Sequence, residues 1–345
     1  MLAKISTFKN ECFMDLIRGT ATFVIPHFAD NQKPLNDYLD KAITSLINQT
    51  DDNWRAIIVD DMSSKKGIID YLDKIKSKAP DRIHYIIRNS NDGPGIARNV
   101  GIEWAYRNNS PIVLFLDADD ISHHKRLEVV RKIMGKDDLV SVVYSTFEVI
   151  DENDDKVPFE KLTGSIQEIL EGHENPIEGY DAWIEIGTRK GYINLTSATS
   201  VRTELAFNCP FPPERVSEDS YTWLLYSVKG EKFIYSDEIK TLYRIVQTSS
   251  GSATRSVHGR LEFYKNKCRV DCSGFLKALE IALNKGKINR EKRNELAIRF
   301  YIKLAETMKR ENCPELAIEQ IEKARVLDTL LFNKYYCPIS VVKSL

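Results

Sequence analysis

The stretch that most constrains this chain is Ile112 to Asp120, which reads I-V-L-F-L-D-A-D-D. Five apolar residues run directly into Asp117, Asp119 and Asp120. A short unbroken apolar run suits a strand buried on both faces, as in a parallel sheet covered by helices. In such α/β folds, ligands bind outside the carboxyl ends of the strands. Packed carboxylates repel one another unless a cation or protons neutralise them. Side chains alternate along an extended chain, so Asp117 and Asp119 share a face if strand geometry continues past Leu116. The pattern points to a hard divalent cation, Mg²⁺ or Mn²⁺, on Asp119 and Asp117, completing its coordination with water and substrate phosphates. A polar turn with a helix N-cap accounts for the same letters, so an isolated D-x-D leaves both readings open.

The preceding chain supplies a rhythm. Ala21–Pro26 is rich in β-branched and aromatic residues and reads as a first strand ended by Pro26. A helix is expected over 34–48, with Leu35, Leu39, Ala42, Ile43 and Leu46 on one face. Arg55–Asp61 is a second buried strand ending in acids. A helix over 67–77, a strand over 82–88 and a helix over 96–106 follow. Such alternation predicts right-handed βαβ units and a mainly parallel sheet, with the Ile112 strand as its fourth.

Beyond Asp120 the rhythm changes. A helix is expected over 123–134 and a strand over 139–150, but residues 159–192 resist assignment. A strand at 195–202 leads into a short helix. A buried helix over 216–228 opens with Glu218 and Asp219, and two short strands are expected at 233–236 and 241–246. From about Leu261 to Leu331 the pattern is repeatedly helical.

Composition narrows the function classes. With 345 residues there is room for two domains, or one large α/β domain with an appendage. A formal net charge of −1 supplies no global field toward nucleic acid or anionic lipid. The cysteines at 12, 209, 268, 272, 313 and 337 show no zinc-ribbon spacing and read as reduced thiols. No secretory apolar core stands at the N-terminus, and no apolar run approaches the ~20 residues that span a bilayer. The expectation is a cytoplasmic protein, or one peripheral at the inner membrane face, that meets any lipid-linked substrate at a surface.

Three acidic clusters recur at comparable places: Asp60–Asp61 after the second strand, Asp117–Asp120 after the fourth, and Glu218–Asp219 at a helix start. The order V-I-P, V-D-D-x-S, G-x-A-R-N-x-G, F-L-D-A-D-D and S-E-D resembles the family 2 glycosyltransferases of GT-A fold, over about Thr22 to Arg255. The resemblance implies a Rossmann-like, mainly parallel sheet flanked by helices. The C-terminal helical region stands outside it. It divides the chain into a lead-in (1–20), a nucleotide-sugar-binding half (21–120), an acceptor-binding half with the catalytic base (121–258) and a helical extension (259–345). It implies that Pro26 lies along the nucleotide and that Asp60 or Asp61 contacts the base. Arg98 and Asn99 then flank the nucleotide-sugar with Glu218, Asp117 touches ribose and metal, and Asp119 holds Mn²⁺ or Mg²⁺. Asp219 matches the catalytic base of inverting members.

Departures from that pattern are specific. Met62 stands where the family often has Gly, and Pro94 stiffens the loop at 91–95. A family His after the late strands has no counterpart before His258, with Arg244, Arg255 and His258 as possible replacements. His27, His123 and His124 are equally open. Trp183 and Trp223 are core candidates, either of which could line an acceptor pocket.

The expected activity is inverting transfer of a sugar from a nucleotide-diphosphate donor, UDP-type favoured, to a hydroxyl of a glycan, glycoconjugate or lipid-linked acceptor. A nucleotidyltransferase would need a Gly-rich, basic loop after the first strand, but 27–33 has no Gly and one cation. A non-catalytic assembly subunit would not need three intact acidic clusters. The helical end is the expected self-association surface of a homo-oligomer.

Overall fold

β-branched runs separated by amphipathic stretches build a three-layer α/β body. The structure is a computed structural model that describes residues 17–30, 37–191, 193–246 and 259–336. The first four strands are β1 (Ala21–His27), β2 (Trp54–Asp60), β3 (Ile83–Ile87) and β4 (Ile112–Phe115). Between them lie α1 (Tyr38–Ile47), α2 (Ile68–Ser77) and α3 (Pro94–Arg107). The second half contains α4 (Arg126–Lys136), β5 (Val140–Ile150), α5 (Gly164–Gly172), β6 (Gly179–Tyr180), α6 (Ala182–Glu185), β7 (Thr199–Arg202), α7 (Thr203–Asn208), α8 (Glu218–Lys229) and β8 (Lys232–Arg244). The C-terminal region is α9 (Arg260–Asn284), α10 (Arg290–Arg310), α11 (Pro314–Leu327) and α12 (Thr329–Tyr335).

The eight strands form one sheet in the order β3-β2-β1-β4-β7-β5-β8-β6. β1 pairs in parallel with both β2 and β4. The chain therefore moves outward from β1 to β3 and returns to β4 on the other side of β1. That reversal opens a crevice at the carboxyl ends of β1 and β4, where ligands collect in open α/β sheets. β7 runs antiparallel between β4 and β5, so the sheet is mixed beyond β4.

Strand alternation sorts the core into two faces. Phe23, Ile25, Ile58 and Leu114 pack with Ile43 of α1 and Leu127 of α4. Val24, Ile57, Val59, Val113 and Phe115 pack on the other face in one continuous core with α3, α8 and the C-terminal helices. The helical region thus shares its apolar interior with the sheet. A Cβ on Gly187 would lie 1.9 Å from the Phe275 ring, and one on Gly274 would lie 3.0 Å from the Tyr221 backbone. The Phe275 ring stacks on Phe300 with centroids 4.6 Å apart.

Several expectations shift for local reasons. Pro94 does not stiffen a loop but starts α3, because its fixed φ suits the first helical turn and its missing N–H costs nothing there. The helix expected from His123 starts at Arg126. The two late strands are one strand, β8, whose register jumps between the Ser145–Ser236 and Phe147–Thr241 pairs. Residues 159–192 resisted assignment because they fold as short helical pieces and a two-residue strand, too brief to establish a period. Leu35, His258 and Arg255, with most of the lead-in, lie outside the described residues.

The shared core generates a prediction. Phe275→Ala should cost about 3–5 kcal/mol, the range for truncating a buried Phe. Chemical denaturation followed by tryptophan fluorescence, to which Trp54 and Trp104 beside the sheet and Trp183 against Phe275 all contribute, should shift as one transition. A second transition left at the unsubstituted protein's midpoint would show that the helices fold as a separate unit.

Candidate functional site

Asp60 ends β2 and Asp61 follows it, yet they face different partners. Asp60 is fully buried. Its Oδ1 accepts from the Ser63 backbone N–H at 2.9 Å, and its Oδ2 accepts from Ser63 Oγ at 2.5 Å and lies 2.8 Å from His27 Nδ1. Burial works against ionisation, but the His27 and Ser63 contacts hold the carboxyl below its usual range. Asp61 pairs with Arg88 and accepts the Gly93 N–H at 2.7 Å, fixing the entry to α3. Between this turn and α2, Met62 takes φ +60°, the left-handed region that Gly occupies freely. The backbone demand at this position is met by a side chain that strains it, a feature that clusters at functional loops.

Arg98, one turn into α3, joins the other two acidic clusters. Its Nη2 donates to Asp117 Oδ1 at 2.6 Å and its Nη1 to Glu218 Oε1 at 3.2 Å. The guanidinium is buried and lies 5.5 Å from the centre of the Phe211 ring. Burial opposes its charge, but Asp117 and Glu218 outweigh that and raise its pKa. Gly95 permits this junction: a Cβ there would stand 3.1 Å from Glu218 Cγ and 3.3 Å from the Pro212 carbonyl.

The D-A-D-D turn distributes its acids in three directions. Asp117 faces Arg98, while its N–H donates to Ser197 Oγ at 2.8 Å. Asp119 opens to solvent. Burial of the turn and the neighbouring Asp117 carboxylate raise its carboxyl above the usual range, an effect that solvent at this exposed residue screens. Asp120 is fully buried, and its Oδ1 accepts from the Arg244 N–H at 2.8 Å. Burial first, then Asp119 and Asp117, push its carboxyl well above the usual range. Asp120 therefore ties β4 to β8. It does not cap a helix, since α4 begins six residues later.

Glu218 and Asp219 open α8 behind Ser217, which holds φ +58°. Burial, then the adjacent Asp219, raises the Glu218 carboxyl to about 7, with Arg98 pulling it down. Asp219 is half-buried, and its Oδ1 accepts the Ser220 N–H at 2.7 Å. Tyr243 reaches the same space from β8. Burial and the carboxylates of Asp120, Asp119, Asp117 and Asp219 all raise its hydroxyl pKa. Arg98, Asp117, Glu218, Asp219 and Tyr243 line one cavity of about 390 Å³ that runs on to α9 and α10.

Other expected site residues stand elsewhere. Asn99 spends both ends of its amide on Phe211, donating to its carbonyl at 2.9 Å and accepting its N–H at 2.8 Å, so it clamps a loop and faces no open ligand space. Pro26 is buried within β1. Arg244 is no surface residue: its buried side chain donates to the carbonyls of Asp119 at 2.9 Å and Asp151 at 2.6 Å and pairs with Asp154. It holds the acidic turn from behind. His123 and His124 lie in a separate groove beside Ser122 and Lys240. Trp183 and Trp223 are core residues, 0% and 1% exposed. Ser197 and Tyr243 are the additions. Neither sits in a local motif, so nothing near them in the sequence marks them.

The acids suit a hard divalent ion in kind. They offer oxygen donors only, the Asp117 and Asp119 carboxylates crowd each other, and Asp119 faces the opening. Among the described residues no three His, Cys, Asp or Glu side chains form a ready-made cage. An ion on Asp119 and Asp117 would take its other ligands from water and from a diphosphate.

A family model described as glycosyl transferase family 2 matches residues 22–194. A Nostoc glycosyltransferase, alr2836, is 34% identical over 117 residues, covering 34% of each protein. TuaG of Bacillus subtilis, named for teichuronic acid biosynthesis, is 26% identical over 216 residues, covering 63% of this chain and 77% of its own. The matches span 34% and 15% of the length of the first curated relatives. Among solved structures, S. aureus TarS 1–349 in complex with UDP aligns with TM-score 0.54 and 15% identity over 92% of both chains. A Pyrobaculum calidifontis mannosyltransferase with GDP-Man and Mn²⁺ aligns with TM-score 0.50 and 13% identity over 94% of this chain and 81% of that one. At these identities the structural matches establish the fold, which is GT-A.

Two measurements probe the Arg98 junction. Arg98→Met leaves Asp117 and Glu218 without their shared cation and should cost about 3–5 kcal/mol in urea unfolding, as for other broken buried pairs. A loss below 1 kcal/mol would show that the junction is weakly coupled. Glu218, with its folded pKa raised to about 7 from 4.5, binds more protons folded than unfolded between those values. Stability should therefore fall as pH rises through that window, and Glu218→Gln should flatten the fall. An unaltered slope in the variant would assign the titration to another group.

Proposed function

The chain belongs to glycosyl transferase family 2, and on that premise we propose that it moves a sugar from a nucleoside diphosphate, UDP-type favoured, to an acceptor hydroxyl with inversion. The observation that carries this reading is Arg98, which joins the acid following β4 to the acid pair opening α8 across one cavity. A donor on one side and an acceptor on the other would then meet at fixed range, and positioning supplies part of the acceleration.

The residues divide the labour as follows. Asp117 and Asp119 hold Mn²⁺ or Mg²⁺, which when bound offsets charge on the leaving diphosphate. TarS in complex with UDP and the mannosyltransferase in complex with GDP-Man and Mn²⁺ share this fold, which supports a nucleotide donor and a divalent ion here. Asp219 takes the proton from the acceptor hydroxyl as it attacks the anomeric carbon, while the nucleoside diphosphate leaves from the opposite face. Glu218, held by Arg98, fixes the angle of Asp219. Asp61, with Arg88, borders the nucleobase side. Asp60 sets the turn there through Ser63.

Residues 21–120 bind the donor, 121–258 carry the base and part of the acceptor site, and 259–345 form a helical extension. The acceptor is a glycan, glycoconjugate or lipid-linked hydroxyl compound. Among the described residues no helix is long and apolar enough to cross a membrane. A lipid-linked acceptor would be met from the cytoplasmic side or at the inner membrane face. Ile318, Val326 and Leu330 are exposed on α11 and α12 and mark where a second copy would pack.

The test is release of nucleotide from a panel of nucleotide sugars with and without Mn²⁺. Asp119→Ala should abolish metal-stimulated release. Asp219→Asn should lower transfer by about 10²–10⁴-fold, the usual worth of a general base, with nucleotide affinity unchanged. Near-normal turnover in Asp219→Asn would place the base elsewhere.

A further inference from the structure

The cavity that holds Asp219 does not end at the sheet. It continues between α8 and the C-terminal helices to Lys267 and Asp271 of α9 and Lys303 of α10. Lys267 donates to Asp271 Oδ2 at 2.7 Å and to Ser217 Oγ at 3.4 Å, which places it one residue before the Glu218–Asp219 pair. Lys303 donates to the Ile186 carbonyl at 3.1 Å and forms no ion pair among the described residues. Gly191 makes room for it, since a Cβ there would stand 2.9 Å from the Lys303 amine.

The other acids along this part of the wall are engaged. Glu168 faces Arg310 at 3.5 Å, and Glu311 accepts from the Tyr264 hydroxyl and pairs with Arg260. Two ammonium groups thus face one carboxylate, Asp271, at the inner end. Burial lowers the Lys303 pKa to about 8; Asp271 and Glu168 pull it up, Lys267 and Arg310 down. A half-buried ammonium group that lines the cavity and has no ion-pair partner among the described residues attracts an anion from elsewhere. Phe300, Leu304 and Ile186 provide apolar walls beside it.

We propose that this inner end is an acceptor subsite for a phosphoryl group, held by Lys303 with Lys267, while the acceptor hydroxyl faces Asp219. The inference rests on the glycosyl-transfer reading and gives the C-terminal helices a part in choosing the acceptor. Calorimetric titration of the full chain with UDP and Mg²⁺ present would compare glycerol 3-phosphate with glycerol, and geranyl diphosphate with geraniol. The charged member of at least one pair should bind about tenfold tighter or more, a difference of one good ion pair. Preference in the glycerol pair points to a polyol phosphate, and in the geranyl pair to a lipid diphosphate. The preference should fade as pH rises through about 8. Lys303→Met should remove it and Lys303→Arg should keep it, with thermal melting confirming that both fold. Equal binding of charged and neutral members, or an unchanged preference in Lys303→Met, would overturn the proposal. UDP is titrated separately. If UDP binds but no charge preference appears, only this subsite fails; if UDP does not bind, the donor reading fails.

Discussion

One buried guanidinium organises the cleft. Arg98 connects the carboxyl end of β4 to the start of α8 through Asp117 and Glu218, groups 19 and 120 residues away in sequence. A buried charge is tolerable only when paired, and here each partner solves the other's problem. The carboxylates keep the cation charged, and the cation opposes the rise that burial imposes on the Glu218 carboxyl. The close approach needed for this depends on Gly95, where a side chain would strike Glu218 and the Pro212 carbonyl.

Behind that junction a second set of charges supports the D-A-D-D turn. Arg126 is fully buried and donates at 2.8 Å to the carbonyls of both Phe115 and Thr199, locking β4 to β7. Burial lowers its pKa to about 9, with Asp120 acting in the opposite direction. Arg244 holds the Asp119 carbonyl from the β8 side. The turn is thus fixed by its backbone. The Asp119 side chain is left exposed, as a ligand-binding acid requires. Asp117 is half engaged, and Asp120 is consumed in the scaffold.

How much of this was legible depends on range. The first four strands and the positions of the acids could be read locally, because apolar runs and strand-end carboxylates are short-range signals. Helix α3 was legible except for its first turn, where Pro94 looked like a loop residue and proved to be the helix start. Asn99 sat inside the motif that suggested a ligand contact. Its amide is nevertheless spent on Phe211, more than a hundred residues away, and no local pattern encodes that choice. Arg244 read as a possible replacement for a family His, and it is buried for the same reason: its partners are backbone carbonyls contributed by distant turns.

By itself the sequence determined the layered α/β class, the strand-end placement of Asp60–Asp61 and Asp117–Asp120, and the helix that starts at Glu218. Periodicity and local chemistry encode those features within a few residues. The tertiary structure decided which acids are free and which are spent, since that depends on partners delivered by other elements. It also decided that the C-terminal helices share the core of the sheet and wall the same cavity. Their packing rests on non-local fits such as Gly187 against Phe275 and Gly274 against Tyr221, which have no signature along the chain.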